Sequence, residues 1–167
     1  MNTYDNIDIE FCLSEYGNMV YRLAYIQTKN KDQADDVYQD VFLRLMQQKQ
    51  KFNNNEHLKA WLIRTTLNCC KDLWKSAWFK KNISYDEMPD KAIEPKENET
   101  NLCVTKCVKK LPKKYREIIH LYYYEEYSQK EIASILEISE NTVATRMVRG
   151  RQILKKYLNE EGENYGF

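Results

Sequence analysis

The chain has 167 residues, with 26 Lys and Arg against 25 Asp and Glu, and 43% of its residues are hydrophobic. This length suits one medium domain or two small ones, and the composition excludes an intrinsically disordered, fibrous or collagen-like chain. No apolar run is long enough to cross a membrane, so the sequence predicts a cytoplasmic protein without membrane insertion. Four Gly and three Pro are too few for a many-turned β-sandwich, and we predict an all-α fold.

The charge is distributed in blocks along the chain. The net charge is −3 over residues 1–56, +5 over 57–83, −4 over 84–101, +6 over 102–158 and −3 over 159–167. Two basic blocks separated by an acidic one favour two contacts with a polyanion, although Lys-rich solvated helix faces would give the same totals. The acidic block holds two of the three prolines and has no helical period. It is predicted to be a flexible linker.

The first half, residues 1–83, is predicted to be a three-helix bundle. Apolar residues spaced three and four apart indicate a helix over Ile9–Thr28. A second helix is expected from a cap at Asp32 to about Lys49, and a third from about His57 to Trp78.

The second half, residues 102–167, is predicted to hold four short helices. The first two cover Leu102–Lys110 and Lys113–Glu126. Ser128 and Glu131 fit a capping box that starts the third helix, and the last runs from about Glu140 to Leu158. A short capped helix, a tight turn and a longer basic helix over about 128–148 predict a DNA-reading helix-turn-helix.

Polar and basic residues lie on the outward face of the last helix. Residues near its start can reach base edges, and arginines further along can bind phosphates. The alternative is a helical hairpin packed only for stability. The candidates for DNA contact are Asn141, Thr142, Ala144, Thr145, Arg146, Arg149 and Arg151.

Two faces of the first half also suggest interfaces. Asp36, Gln39, Asp40 and Leu43 share the side of the second helix opposite its core stripe, which suits a basic protein partner or an ordinary solvated face. The third helix combines cations with aromatic rings, a pattern that suits single-stranded or melted nucleic acid. Its candidates are Trp61, Arg64, Asn68, Lys71 and Lys75, and Trp61 could equally belong to the core.

No arrangement in the sequence predicts catalysis, a metal or a cofactor. Cys103 and Cys107 lie four residues apart on a predicted helix, but a full zinc ligand set is missing. Buried thiols are the better interpretation of the five cysteines.

The motifs resemble those of RNA polymerase sigma factors of the extracytoplasmic-function type. Residues 36–45 are similar to the family's D-x-x-Q-E-x-F-x-x-L, and residues 60–72 to its A-W-L-x-x…N-x-x-x-D. Residues 111–127 are similar to the L-P-x-x-x-R-x-x-x-x-L-x-Y that precedes the family's helix-turn-helix, and residues 141–151 to G-T-V-x-S-R-L-x-R-A-R. The motifs occur in both halves and in the family's order.

The resemblance implies promoter recognition with core RNA polymerase and promoter DNA as partners. It implies that the second helix docks on the polymerase clamp helices, that the third helix serves the −10 element, and that the last helix serves the −35 element. The linker would run through the polymerase between the two. An anti-sigma factor is the further partner that the resemblance implies.

Four residues depart from the family pattern. Leu67 and Ala144 stand where a basic residue is frequent, which leaves the promoter sequence open. Glu137 replaces the usual Gly of the turn, at a cost of about 1 kcal/mol if its backbone is left-handed. Gly150 replaces a frequent Ala and should weaken the last helix by about 1 kcal/mol.

Two other functions remain open on the residues alone. A stand-alone helix-turn-helix regulator would be a symmetric dimer on a palindrome, but no dimerisation heptad is visible. An enzyme acting on nucleic acid would need a metal or an acid–base set that the sequence does not show.

Overall fold

The computed structural model describes residues 7–80 and 99–162, and within these ranges every regular element is a helix. The chain forms two compact units, residues 1–92 and 93–167. Most of the predicted acidic linker, residues 84–98, lies outside the described residues. Its last three residues, 99–101, belong to a helix instead.

The first unit packs three helices against one another, as the apolar periodicity predicts. These are α1 (Ile9–Thr28), α2 (Lys31–Gln47) and α3 (Asn55–Lys80). Each pair of them is in contact. Fully buried Leu23, Leu45 and Leu62 contribute one side chain from each helix to the common core.

The boundaries of α1 agree with the prediction, and the start of α2 differs from it. Asn30, not Asp32, is the N-cap of α2, and its side chain accepts a hydrogen bond from the Gln33 amide at 3.1 Å. Lys29 ends α1 in a left-handed conformation at φ 57°, so that Asn30 can cap the next helix directly. The turn between the two helices is therefore two residues long, left-handed Lys29 followed by the capping Asn30.

Leu13 and Tyr38 follow the apolar spacing of their helices but lie nearer the surface than the core residues do. Leu13 is 38% exposed, and Tyr38 of α2 is half-buried. Tyr38 lies over Gly17, where a β-carbon would stand 3.1 Å from the Tyr38 hydroxyl. Gly17 therefore leaves room for the end of the Tyr38 ring against α1.

The second unit contains four helices. They are α4 (Glu99–Lys110), α5 (Lys113–Tyr123), α6 (Gln129–Leu136) and α7 (Glu140–Glu160). The longest of them, α7, contacts the other three. Helix α5 ends three residues before the predicted Glu126, and Glu126 itself adopts a left-handed backbone at φ 58° that an α-helix does not contain.

A buried arginine stabilises the sharp turn between α4 and α5. Arg116 is 5% exposed, and its Nη1 donates to the carbonyl oxygens of Lys109 and Leu111 at 3.1 Å each. Pro112 starts α5 immediately afterwards. The Arg of the L-P-x-x-x-R pattern therefore satisfies carbonyls that the end of α4 leaves without helical partners.

Candidate nucleic-acid and protein interfaces

The outward face of α2 combines acids, an amide and exposed apolar side chains. Asp36 and Gln39 are exposed, and Leu43 is 53% exposed. Met46, which sequence reasoning missed, is 62% exposed one turn beyond Leu43. Its spacing of three from Leu43 was the available signal. The face is therefore more apolar than predicted.

Asp40, the fourth predicted residue of this face, is half-buried and partnered within the unit. Its carboxylate lies 3.1 Å from the Arg44 guanidinium, which also reaches Asp72 of α3 at 3.4 Å. The Cys69 thiol of α3 lies near the Asp40 carboxylate. Burial raises the pKa of Cys69 to about 12, and Asp40 adds to this effect. Asp40 thus connects the predicted docking face of α2 to α3.

The predicted basic face of α3 is a row of accessible polar side chains. Asn68, Lys71 and Lys75 are exposed, and Arg64 is half-buried. The spacings of four, three and four residues bring all four to one side of the helix. The structure therefore brings these predicted residues together on one surface.

Trp61 has a structural contact in addition to its predicted role. Its ring meets the buried Phe52 edge-on, with ring centroids 5.7 Å apart, and Phe52 also contacts His57 at 5.3 Å. Trp61 remains half-buried. One side of the indole is thus held by the loop before α3.

The helix-turn-helix forms as the sequence predicts. Both hydrogen bonds of the capping box between Ser128 and Glu131 are present. Glu137 takes the left-handed conformation at φ 56°, and Ser139 caps α7 by accepting from the Thr142 amide at 3.1 Å. Ala133 of α6 is buried.

The candidate DNA contacts of α7 differ in accessibility. Near the start of the helix, Asn141 and Thr145 are exposed, and the Thr142 hydroxyl is hydrogen-bonded to Ser139 at 2.7 Å. Val148 is 54% exposed on the same helix. The remaining candidates are exposed Arg149 and half-buried Ala144, Arg146 and Arg151.

Two tyrosines of α5 hold the two distal arginines. The Arg151 Nε donates to the Tyr123 hydroxyl at 2.8 Å. Arg149 lies near the Tyr115 hydroxyl, where its charge favours the ionised form. Burial raises the pKa of Tyr115, but the interactions with Arg149 and Lys114 outweigh it and the pKa is lowered. Sequence reasoning missed both tyrosines, since only the helix packing brings them to α7.

Cys103 and Cys107 show the character of structural thiols. Cys107 is buried and Cys103 half-buried. Burial raises the pKa of Cys107 to about 11, and the neighbouring Cys103 adds to this effect. Within residues 7–80 and 99–162, His, Cys, Asp and Glu form no group of three or more that could bind a metal ion.

None of the helices over the described stretches is long and apolar enough to span a membrane.

Two family models match the chain, one in each unit. The model of Sigma-70 region 2 matches residues 12–80, which include the α2 and α3 faces. The model of Sigma-70, region 4 matches residues 101–154, which include the helix-turn-helix. The match in the first half disfavours the alternative of a stand-alone regulator, because that alternative gives the first half no function.

Relatives match over most of their length. The chain is 30% identical over 154 residues to the extracytoplasmic-function sigma factor SigM of Bacillus subtilis, covering 86% of this chain and 91% of the relative. It is 29% identical over 160 residues to SigW of the same organism, covering 87% and 86%.

Solved structures share the fold. One is the sigma factor RpoE in complex with the anti-sigma factor NepR from Bartonella quintana, with a TM-score of 0.76, 21% identity and coverage of 91% of this chain and 97% of that one. Another is CnrH in complex with the cytosolic domain of CnrY, with a TM-score of 0.66, 24% identity and coverage of 91% and 88%.

The order of the two regions, the relatives and the helical architecture agree with one another. The chain belongs to the extracytoplasmic-function sigma factors, the non-enzymatic subunits that bind core RNA polymerase and direct it to promoters.

Proposed function

We propose that three surfaces of the chain divide the work of promoter recognition. Asp36, Gln39, Asp40 and Leu43 of α2 bind core polymerase. Trp61, Arg64, Asn68, Lys71 and Lys75 of α3 bind the −10 element and help to open it. Asn141, Thr142, Ala144, Thr145, Arg146, Arg149 and Arg151 of α7 bind the −35 element. Residues 84–101 connect the two DNA-binding units through the polymerase.

The observation that carries this assignment is the contrast between two faces of the first unit. The α2 face presents carboxylates around exposed Leu43, a surface that DNA would repel and that suits a protein with basic residues around an apolar notch. The α3 face presents Lys71 and Lys75, which suit a nucleic-acid backbone. One small unit therefore offers a protein-binding and a nucleic-acid-binding surface.

Run-off transcription tests the proposal. Core polymerase from a related bacterium is combined with the protein and fragmented source genome, and transcript starts are mapped. New starts that share two upstream elements at fixed spacing are expected. The absence of new starts, together with no co-elution of protein and core polymerase, would contradict the proposal.

Variants separate the three surfaces within the same assay. Lys71→Gln with Lys75→Gln is expected to reduce promoter opening while core binding remains, because only the α3 charges are removed. Lys49→Gln is the matched control, since Lys49 is exposed and outside the proposed faces. Thr145→Ala is expected to reduce the sequence preference at the −35 element among the mapped starts. The sequence preference at the −10 element should stay the same.

An anti-sigma factor is the proposed regulator, acting in the cytoplasm where promoters and core polymerase meet. The structural neighbour with NepR supports a partner of this kind. We infer that the anti-sigma factor covers the α2 face. A protein bound to that exposed apolar surface would compete with core polymerase for it. An anti-sigma factor captured with this chain should displace core polymerase from the wild-type protein. A candidate that binds without competing would contradict this part.

A further inference from the structure

Arg151 is held by two consecutive tyrosines at the end of α5. Its Nε donates to the Tyr123 hydroxyl at 2.8 Å. Its guanidinium carbon lies 5.4 Å from the ring centroid of Tyr122 and 5.7 Å from that of Tyr123. The two rings stand nearly perpendicular, at 78°. One hydrogen bond and two aromatic rings therefore restrict the guanidinium.

The hydrogen bond to the Tyr123 hydroxyl leaves the positive charge of Arg151 available to bind an anion. Among residues 7–80 and 99–162, no carboxylate forms an ion pair with Arg151, whereas Arg44 of the first unit lies between Asp40 and Asp72. A neutral hydroxyl orients a guanidinium without neutralising it. The bond to Tyr123 also uses Nε, so the Nη1 and Nη2 edge keeps the paired donors that match a phosphate.

The position of Arg151 on α7 suits a backbone contact. It lies one turn beyond the exposed Val148 and is itself half-buried. Residues at the start of a recognition helix contact base edges, and cations further along contact phosphates. An arginine fixed in advance loses less conformational freedom on binding than a mobile one.

We propose that Tyr123 is a positioning residue for DNA binding, holding the Arg151 guanidinium where it binds a backbone phosphate beside the −35 element. The ring of Tyr122 supports the same orientation. This inference rests on the proposed role of α7 in −35 recognition and adds a second helix, α5, to that interface. Because phosphates carry no sequence, Tyr123 strengthens binding without selecting the promoter.

The test is a double-mutant cycle on the holoenzyme. Wild type, Tyr123→Phe, Arg151→Ala and the double variant are each assembled with core polymerase. Binding to a fragment carrying a mapped promoter is measured in the cold, before strand opening, over a series of KCl concentrations. Tyr157→Phe is the matched control, since it removes another tyrosine hydroxyl from the same unit. Thermal unfolding of each variant reports whether the fold is kept.

The expected results separate charge from orientation. Arg151→Ala should lower the magnitude of the salt slope, which is the slope of log K against log KCl concentration, by about 1. This is the value for one lost phosphate contact. Tyr123→Phe should weaken binding about three- to tenfold with the slope unchanged. Arg151→Lys should resemble Tyr123→Phe, because it keeps the charge and loses the Nε hydrogen bond. In the Arg151→Ala background, Tyr123→Phe should have no further effect.

Three outcomes would overturn the inference. Equal weakening by Tyr123→Phe with and without Arg151 would mean that Tyr123 acts only on packing. An unchanged affinity and salt slope in Arg151→Ala would mean that Arg151 binds no phosphate. Wild-type protein that directs no promoter-specific starts would overturn the proposed function itself, and this is determined before any variant is compared.

Discussion

Gly150 of α7 lies against Ile119 of α5 so closely that a β-carbon at position 150 would stand 3.3 Å from Ile119 Cγ1. The same β-carbon would stand 3.3 Å from the Tyr115 Cβ. From sequence, Gly150 was expected only to weaken the last helix. The structure adds a packing reason for the glycine, because α5 and α7 approach one another at this residue.

Substitutions at Gly150 are expected to show both effects. Gly150→Ala should raise the free energy of unfolding by less than the roughly 1 kcal/mol that helix propensity alone predicts, because the Tyr115 Cβ is fixed to the backbone. Gly150→Val should lower it by about 1–3 kcal/mol through overpacking. Urea unfolding followed by circular dichroism measures both, with exposed Gln152→Ala as the control. A full 1 kcal/mol gain in Gly150→Ala would contradict the close approach.

Arg116 is expected to stabilise only the second unit. Arg116→Met should destabilise that unit by about 2 kcal/mol, because the Lys109 and Leu111 carbonyls lose a charged donor. All three tryptophans lie in the first half of the chain. Tryptophan fluorescence therefore reports the first unit alone, and circular dichroism reports both. The dichroism transition should shift to lower urea while the fluorescence transition stays. Equal shifts of the dichroism and fluorescence transitions would contradict the expectation that the two units unfold independently.

The capping box at α6 is expected to depend on pH. The Ser128 backbone amide donates to Glu131 at 2.8 Å and lowers the pKa of Glu131 below its ordinary 4.5. A carboxyl with a lowered pKa in the folded state stabilises the fold above pH 4.5, and the effect is lost as the pH falls through the folded value. Glu131→Ala should therefore cost about 0.3–1 kcal/mol at neutral pH, the range for a carboxylate near a helix N-terminus.

The difference in the free energy of unfolding between Glu131→Ala and wild type is measured by urea unfolding, in steps from neutral pH into acid. It should shrink as Glu131 is protonated in the wild type. Glu131→Gln is the control, since it keeps an acceptor without a titratable group. A difference that stays constant across the series would show that the carboxylate plays no part.

The thiol of Cys69 is expected to resist alkylation. Its pKa of about 12, raised by burial and by Asp40, leaves almost no thiolate at neutral pH. Iodoacetamide should therefore label half-buried Cys103 well before Cys69, as followed by mass spectrometry of peptides. Labelling of Cys69 should rise with pH into the alkaline range. Urea-unfolded protein is the control, in which both should react alike. Equal rates in the folded protein would contradict the burial of Cys69.

Leu43 is expected to contribute directly to core binding. Leu43→Ser should weaken co-elution with core polymerase at least tenfold, because an apolar anchor at the centre of an interface is costly to lose. Leu13→Ser is the matched control, since Leu13 is an exposed leucine of α1 outside the α2 face. Both variants should unfold at the same urea concentration as wild type to within a small shift. Equal binding by both would exclude Leu43 from the docking surface.

Local features of this protein were determined by the sequence alone. The span of α1, the capping box of Ser128 and Glu131, and the left-handed Glu137 depend on residues a few positions apart. Hydrogen bonds and backbone preferences at that range act within one segment, so they can be identified before the helices are packed. The order of the motifs likewise indicated the sigma-factor family.

Other features were decided only when helices met. The hydrogen bond between Arg151 and Tyr123, the ion pair between Arg44 and Asp72, and the close contact at Gly150 each join different helices. Helical periodicity indicates which face of a helix is apolar, but not which residue of another helix lies opposite a given side chain. That pairing depends on the crossing of the packed helices, and it placed Tyr123 beside a predicted DNA contact.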